Sequence, residues 1–122
     1  MEVTAAKNKK IEAMTFASVY PHYVAKVIKK GRTEAELIQV IEWLTGFNAT
    51  NINKCIKEKW TFKVFFERAN IHPKAHLITG TICGYRIETI SDEFKVYKQC
   101  RYLDKLVDEL AKNRKIEKIF RE

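Results

Sequence analysis

The stretch Thr33-Glu34-Ala35-Glu36-Leu37-Ile38-Gln39-Val40-Ile41-Glu42-Trp43-Leu44-Thr45-Gly46 decides the fold class. Thr33 with Glu36 three residues on forms a capping box, in which each side chain accepts from the other's backbone N–H, and Gly46 supplies the left-handed stop. Between them Leu37, Ile41 and Leu44 make one apolar stripe and Val40, Trp43 and Phe47 a second. The apolar arc is therefore wide enough to meet neighbours on two sides, as expected of a central helix.

Working outward, the same signals recur. Before this stretch, Tyr20, Val24, Val27 and Ile28 follow Pro21 at helical spacing, with Lys29, Lys30 and Gly31 as a cationic end and cap; the pattern predicts a helix of about three turns with Pro21 in its first turn. After it, Asn48 caps a short helix carrying Ile52, Cys55 and Ile56, and Thr61 caps another carrying Phe62, Phe65, Phe66 and Ala69. Asn70 to His76, with Pro73, reads as a loop. A long helix beginning after Ser91 or Asp92 puts Val96, Cys100, Leu103, Val107 and Leu110 on one face and Asp104, Lys105, Asp108 and Glu109 outside. Ile116, Ile119 and Phe120 make a last short turn.

Residues 77–90 fit two periods. Gly80, Cys83, Ile87 and Ile90 share a helical face, while Thr79, Thr81, Cys83, Tyr85 and Ile87 alternate like a strand. No second β-like run exists elsewhere to pair such a strand, so a helix is expected, with a minor strand as the alternative. Gly80 and Gly84 then read as a G-x-x-x-G spacing that lets a neighbouring helix approach closely. Residues 1–10 show no apolar period and read as a flexible leader, order starting near Ile11. The expected architecture is all-α, a single compact bundle of about six to seven helices over residues 11–122.

The totals bound the function. At 122 residues, with 46% hydrophobic and 31% charged residues, the chain has the size and composition of one folded domain. The N-terminus lacks a signal-peptide pattern, and no run nears the roughly 18 apolar residues that span a bilayer, so neither export nor membrane insertion is expected. Cys55, Cys83 and Cys100 are odd in number and never spaced C-x-x-C, which suits a reducing cytoplasm rather than a disulfide framework.

The formal charge of +8 attracts polyanions. The excess is spread along the chain without a block of like charges, which weakens the case for nucleic acid. Residues 48–70 carry +3 of it. There Lys57, Lys59, Lys63 and Arg68 surround Trp60, expected to be partly exposed at a helix junction, and form a candidate basic and stacking-capable binding patch. A solvated lysine face with Trp60 plugging the junction is the plainer alternative.

Two other constellations carry chemistry. Cys83 with Arg86, and Cys100 with Arg101, are candidate thiolate sites, since a cationic neighbour favours the nucleophilic form; both cysteines also fall on apolar stripes, where free Cys acts as a small hydrophobe. His72 and His76 are spaced for one helical face, but Pro73 intervenes and no further ligand lies nearby, so no metal and no cofactor is expected. A protein partner or a homodimer remains the expected form of association.

The runs Met14-Thr15-Phe16-Ala17-Ser18-Val19-Tyr20-Pro21, Lys30-Gly31-Arg32-Thr33, Glu42-Trp43-Leu44-Thr45-Gly46, Leu77-Ile78-Thr79-Gly80 with Cys83-Gly84, and Arg101-Tyr102-Leu103-Asp104-Lys105-Leu106-Val107-Asp108-Glu109-Leu110-Ala111-Lys112 are distinctive. Over Met14 to Phe120 they resemble the bacterial family known as domain of unknown function 2200. The resemblance implies a small stand-alone cytoplasmic bacterial protein, and brings with it no catalytic residue and no cofactor. Against that family pattern, Ser91-Asp92-Glu93 replaces an Asp-Pro turn, and Lys54, Lys57 and Lys63 stand in a region otherwise more acidic.

Overall fold

Side chains that compete for backbone N–H groups mark where each helix begins. In the computed structural model, which describes residues 2–121, Thr4 opens α1 (Ala5–Ala13), Thr15 opens α2 (Phe16–Lys29) and Thr33 opens α3 (Glu34–Thr45). Asn48 opens α4 (Ala49–Lys57) and Thr61 opens α5 (Phe62–Arg68). After a short irregular segment come α6 (Lys95–Ala111) and α7 (Ile116–Ile119), making seven α-helices among the described residues. The all-α class and the helix number match the reading of the sequence. None of these helices is long and apolar enough to cross a membrane.

The capping box of α3 forms as expected, and Gly46 closes the helix in the left-handed region at φ 73°. That closure serves the next contact. The loop after α5 lies across the end of α3, with Asn70 N–H donating to the Thr45 carbonyl at 2.8 Å and His72 N–H to the Leu44 carbonyl at 2.9 Å. A Cβ on residue 46 would stand 3.1 Å from the Asn70 carbonyl oxygen, so both backbone angle and space require glycine.

Two helices start from one point. Thr15 and Thr61 form an isolated antiparallel bridge, in which Phe16 N–H donates to the Trp60 carbonyl (3.0 Å) and Phe62 N–H to the Met14 carbonyl (2.8 Å). The bridge brings Phe16 of α2 onto α5, where its ring stacks on Phe65 at 4.6 Å and meets Phe62 edge-on at 6.1 Å. Phe47, Phe66 and Tyr20 complete this aromatic cluster. Each fully buried phenylalanine here contributes on the order of 1.5–3 kcal/mol from burial.

α6 is the axis of the molecule and packs against α1, α2, α3, α5 and α7, whereas α3, expected to be central, contacts α2, α6 and α7. Leu103, Leu106 and Leu110 are completely buried. Glu109, expected outside, is buried as well. It is held by Arg121, whose two terminal nitrogens donate to its carboxylate at 2.6 and 2.8 Å, and by Arg114 at 3.4 Å. The tail bearing Arg121 thereby returns to α6 through a buried charge that needs its partner. A second clasp on the same tail is a stack: Phe120 lies parallel to Trp43 of α3 at 5.7 Å, and His72 also stacks on Trp43, at 4.2 Å.

Several expectations need correction. Residues 77–90 are not a helix: Gly80, Cys83 and Gly84 all have positive φ (102°, 53° and 81°), which no helix interior accommodates. The segment pairs with itself instead. β1 (Thr81–Ile82) and β2 (Tyr85–Arg86) form a hairpin turned by Cys83-Gly84, flanked by 3-10 turns at Ala75–Leu77 and Ile87–Thr89. Two consecutive left-handed residues are what a two-residue hairpin turn demands, and the glycines thus serve the turn rather than a helix crossing. Pro21 lies inside α2, because Thr15 caps the helix more than a turn before the proline. Ile28, read as part of the apolar stripe, is exposed.

The first helix, α1, already starts at Ala5, ahead of Ile11. α1 has no buried residue, so no apolar period announces it. Ile11 packs half-buried against the core, and polar side chains add to the hold on the body. Asn8 Oδ1 accepts from the backbone N–H of Tyr97 at 3.1 Å, in the first turn of α6, and Lys7 Nζ donates to the Tyr85 hydroxyl at 3.0 Å. Phe94, at the start of α6, has no side chain able to cap it, so the cap comes from the other end of the chain.

Replacing that cap tests its worth. Asn8→Ala is expected to lower stability by about 1 kcal/mol in denaturant unfolding, with faster amide exchange confined to the first turn of α6. Acid acts elsewhere. The Thr33 backbone N–H and Arg32 hold the Glu36 carboxyl below its usual range; at Asp108 burial pushes upward, but hydrogen bonds from Lys112 and Lys26 prevail and lower it. Both groups stabilise the fold fully above the ordinary carboxylate range and lose that contribution as pH falls through their depressed folded values. Stability measured from pH 6 to pH 2 is therefore expected to fall at the acidic end, on a slope that Glu36→Gln makes shallower.

Candidate functional site

The corner where α4 meets α5 carries the basic patch read from the sequence. Lys57 ends α4, Lys59 turns the chain with φ 54°, and Lys63 and Arg68 stand on α5. All four side chains are exposed, and none enters an ion pair among the described residues. Trp60 behaves differently from the expectation. It is buried at 9% exposure, its indole N–H donates to Glu58 Oε1 at 3.0 Å, and its ring meets Phe47 edge-on. The Arg68 guanidinium lies 4.4 Å from the ring centroid, a cation–π contact that covers the remaining face. The tryptophan plugs the junction, and the four cations are what the corner presents.

The cysteine sites separate on burial. Cys100 is buried in α6, where burial and the neighbouring Asp104 carboxylate push its thiol well above the usual range. Cys55 is likewise buried, and burial pushes its thiol up to about 12. Burial of this kind favours the protonated thiol over the thiolate that a nucleophile needs. Cys83 alone is exposed, at the tip of the hairpin. Arg86, its candidate partner, faces solvent and lies 3.8 Å from Glu88.

Arg101 was singled out beside Cys100, yet it serves another set of residues. Its Nη1 donates to Asp104 Oδ2 at 2.5 Å and its Nη2 to the Tyr97 hydroxyl at 2.8 Å. Burial opposes the charge, but these bonds outweigh it and keep the guanidinium firmly protonated. Asp104 also accepts from the Tyr23 hydroxyl at 2.6 Å, linking α6 to α2. On the other side the Tyr97 ring meets Tyr85 edge-on at 5.5 Å, and the hydrogen bond from Lys7 lowers the Tyr85 phenol's pKa. Lys7, Tyr85, Tyr97, Arg101, Asp104 and Tyr23 thus form one polar seam joining α1, the hairpin, α6 and α2.

Sequence reading missed this seam because its members come from four elements and follow no spacing along the chain. The one legible signal was Arg101 itself, a cation on the flank of an apolar stripe. Two of the histidines bond locally: His72 Nδ1 accepts from Lys74 N–H at 3.0 Å, while His76 Nδ1 bonds the Pro73 carbonyl at 2.9 Å. Among the described residues no group of three potential ligands gathers.

Comparison with known proteins places this architecture. A solved crystal structure of uncharacterized protein SP1917 is similar, with a TM-score of 0.83 and 39% identity, over 91% of this chain and 90% of the other. Nothing among the curated proteins matches the chain. Residues 10–121 match the family described as an uncharacterized protein conserved in bacteria (DUF2200). With the match spanning nearly every helix of the fold, the chain belongs to this bacterial family, the domain of unknown function 2200.

Proposed function

We propose that the chain is a non-catalytic binding module, located in the cytoplasm, that docks an acidic protein surface on the α4–α5 corner. The observation that carries this reading is the exposure of Lys57, Lys59, Lys63 and Arg68 on one corner without internal ion pairs. Some cations elsewhere are paired within the fold, Arg32 with Glu36, Arg101 with Asp104 and Arg121 with Glu109, while others, Lys29 and Lys118 among them, stand exposed and single among the described residues. Complementary charge of this kind steers and orients a partner more than it adds affinity. An acidic protein fits better than nucleic acid because Trp60, the surface on which a base would stack, is enclosed by Phe47 and Arg68.

A cysteine-dependent activity has one accessible thiol to work with, Cys83, and it sits on an exposed turn with its neighbouring arginine paired to Glu88. Self-association has less support still. The exposed large apolar side chains are Met14, Ile28 and Leu77, which belong to different parts of the chain.

Binding of a fluorescent polyglutamate peptide and of a mixed-sequence oligonucleotide, both at physiological salt, tests the proposal. Lys57→Glu/Lys63→Glu is expected to weaken peptide binding by about tenfold, while Lys29→Glu/Lys118→Glu, of equal net charge, leaves it nearly unchanged. Equal losses in both variants would reduce the effect to net charge, and tighter binding of the oligonucleotide would hand the corner to nucleic acid. For the thiols, a mild aromatic disulfide reagent is expected to label one cysteine in the native protein and three after unfolding, with Cys83→Ser abolishing the native signal.

A further inference from the structure

Between α1 and the first two turns of α6 lies a cleft of about 350 Å³ lined by Lys7, Lys10, Ile11, Met14, Tyr97 and Arg101. Its chemistry is one-sided. Ile11, Met14 and the Tyr97 ring supply apolar wall, three side chains supply positive charge, and no carboxylate lines it. Arg101 is fixed in place by Asp104 and Tyr97, and Lys7 by the Tyr85 hydroxyl, so two of the cations are held before any ligand arrives. Lys10 is exposed and has no hydrogen-bond or ion-pair partner among the described residues. Met14 is 37% exposed, so its side chain is accessible from solvent at the cleft.

We propose that this cleft binds a small organic anion, a single carboxylate or phosphate head on an apolar body, with the head toward Lys10 and Arg101 and the body against Ile11 and Met14. Size agrees, since the volume is at the lower end of small-molecule sites, room for one ring and its head group. The sign of the charge agrees too: Arg101 is already paired with Asp104, but Lys7 and Lys10 meet no carboxylate among the described residues, so an anion compensates them, whereas a neutral ligand gains only the apolar wall. The site is independent of the α4–α5 corner, and either can fail without the other.

The test uses the whole chain, labelled with nitrogen-15, titrated with benzoate, phenyl phosphate and benzamide. Benzoate or phenyl phosphate is expected to move the amide signals of residues 7–14 and 97–101 saturably in the millimolar range, and the stronger of the two identifies the preferred head group. Benzamide, equal in shape and uncharged, is expected to bind more weakly. Lys10→Ala, a surface change that leaves the fold intact, is expected to weaken the anion by about threefold, and Met14→Ala to weaken all three compounds alike. Equal binding of benzamide, shifts elsewhere on the protein, or no saturation with either anion would overturn the proposal.

Discussion

The backbone bridge between Thr15 and Thr61 is the constraint on which the rest of the structure depends. It sets two helix starts back to back, each capped by its own threonine, and so fixes where Phe16, Phe62 and Phe65 converge. Aromatic rings confer burial only in a few relative orientations, and a pair of backbone hydrogen bonds at the root of both helices selects one of them. Once α2 and α5 diverge from that point, the space left between them and α3 has the width of one helix, and α6 fills it with Leu103, Leu106 and Leu110.

What the sequence discloses and what it conceals follow a physical division. Caps and apolar periods are local, and α3, α4 and α5 appear almost residue for residue from Thr33, Asn48 and Thr61. The long apolar face of α6 is equally plain from Val96 to Leu110. What hides is anything whose partner is distant or whose period is broken. α1 is secured by Asn8 and Lys7 acting across the chain, and such bonds leave no pattern among neighbours. The hairpin hides because its second strand lies inside the segment judged to lack one; Cys83 ahead of Gly84 disguises a turn more often written Asn-Gly or Asp-Gly.

Charge shows the same division. The net excess of +8 is a property of the whole sequence, but its distribution is decided by folding. Glu109, Asp104 and Asp108 each take up two cations or a cation and a phenol, and the positive charge left over includes that of α1 and of the α4–α5 corner. Trp60 was legible as a junction residue but not as a buried one, since Arg68 reaches it only after α5 has formed.

The cap that Asn8 lends to α6 has a temporal side. During synthesis Asn8 leaves the ribosome well before the N–H group it serves, on Tyr97, 89 residues later. Until α6 emerges α1 lacks that partner, and with no fully buried side chain of its own it gains little by forming alone. α1 therefore behaves as a latch thrown after α6 has formed. Before that the α2–α5 aromatic cluster assembles without its axis, and closing the molecule requires α1 and α6 together. A protein so arranged has a nascent state open at one side for as long as α6 is missing, and its folding is timed by the arrival of that helix rather than by the order of the helices before it.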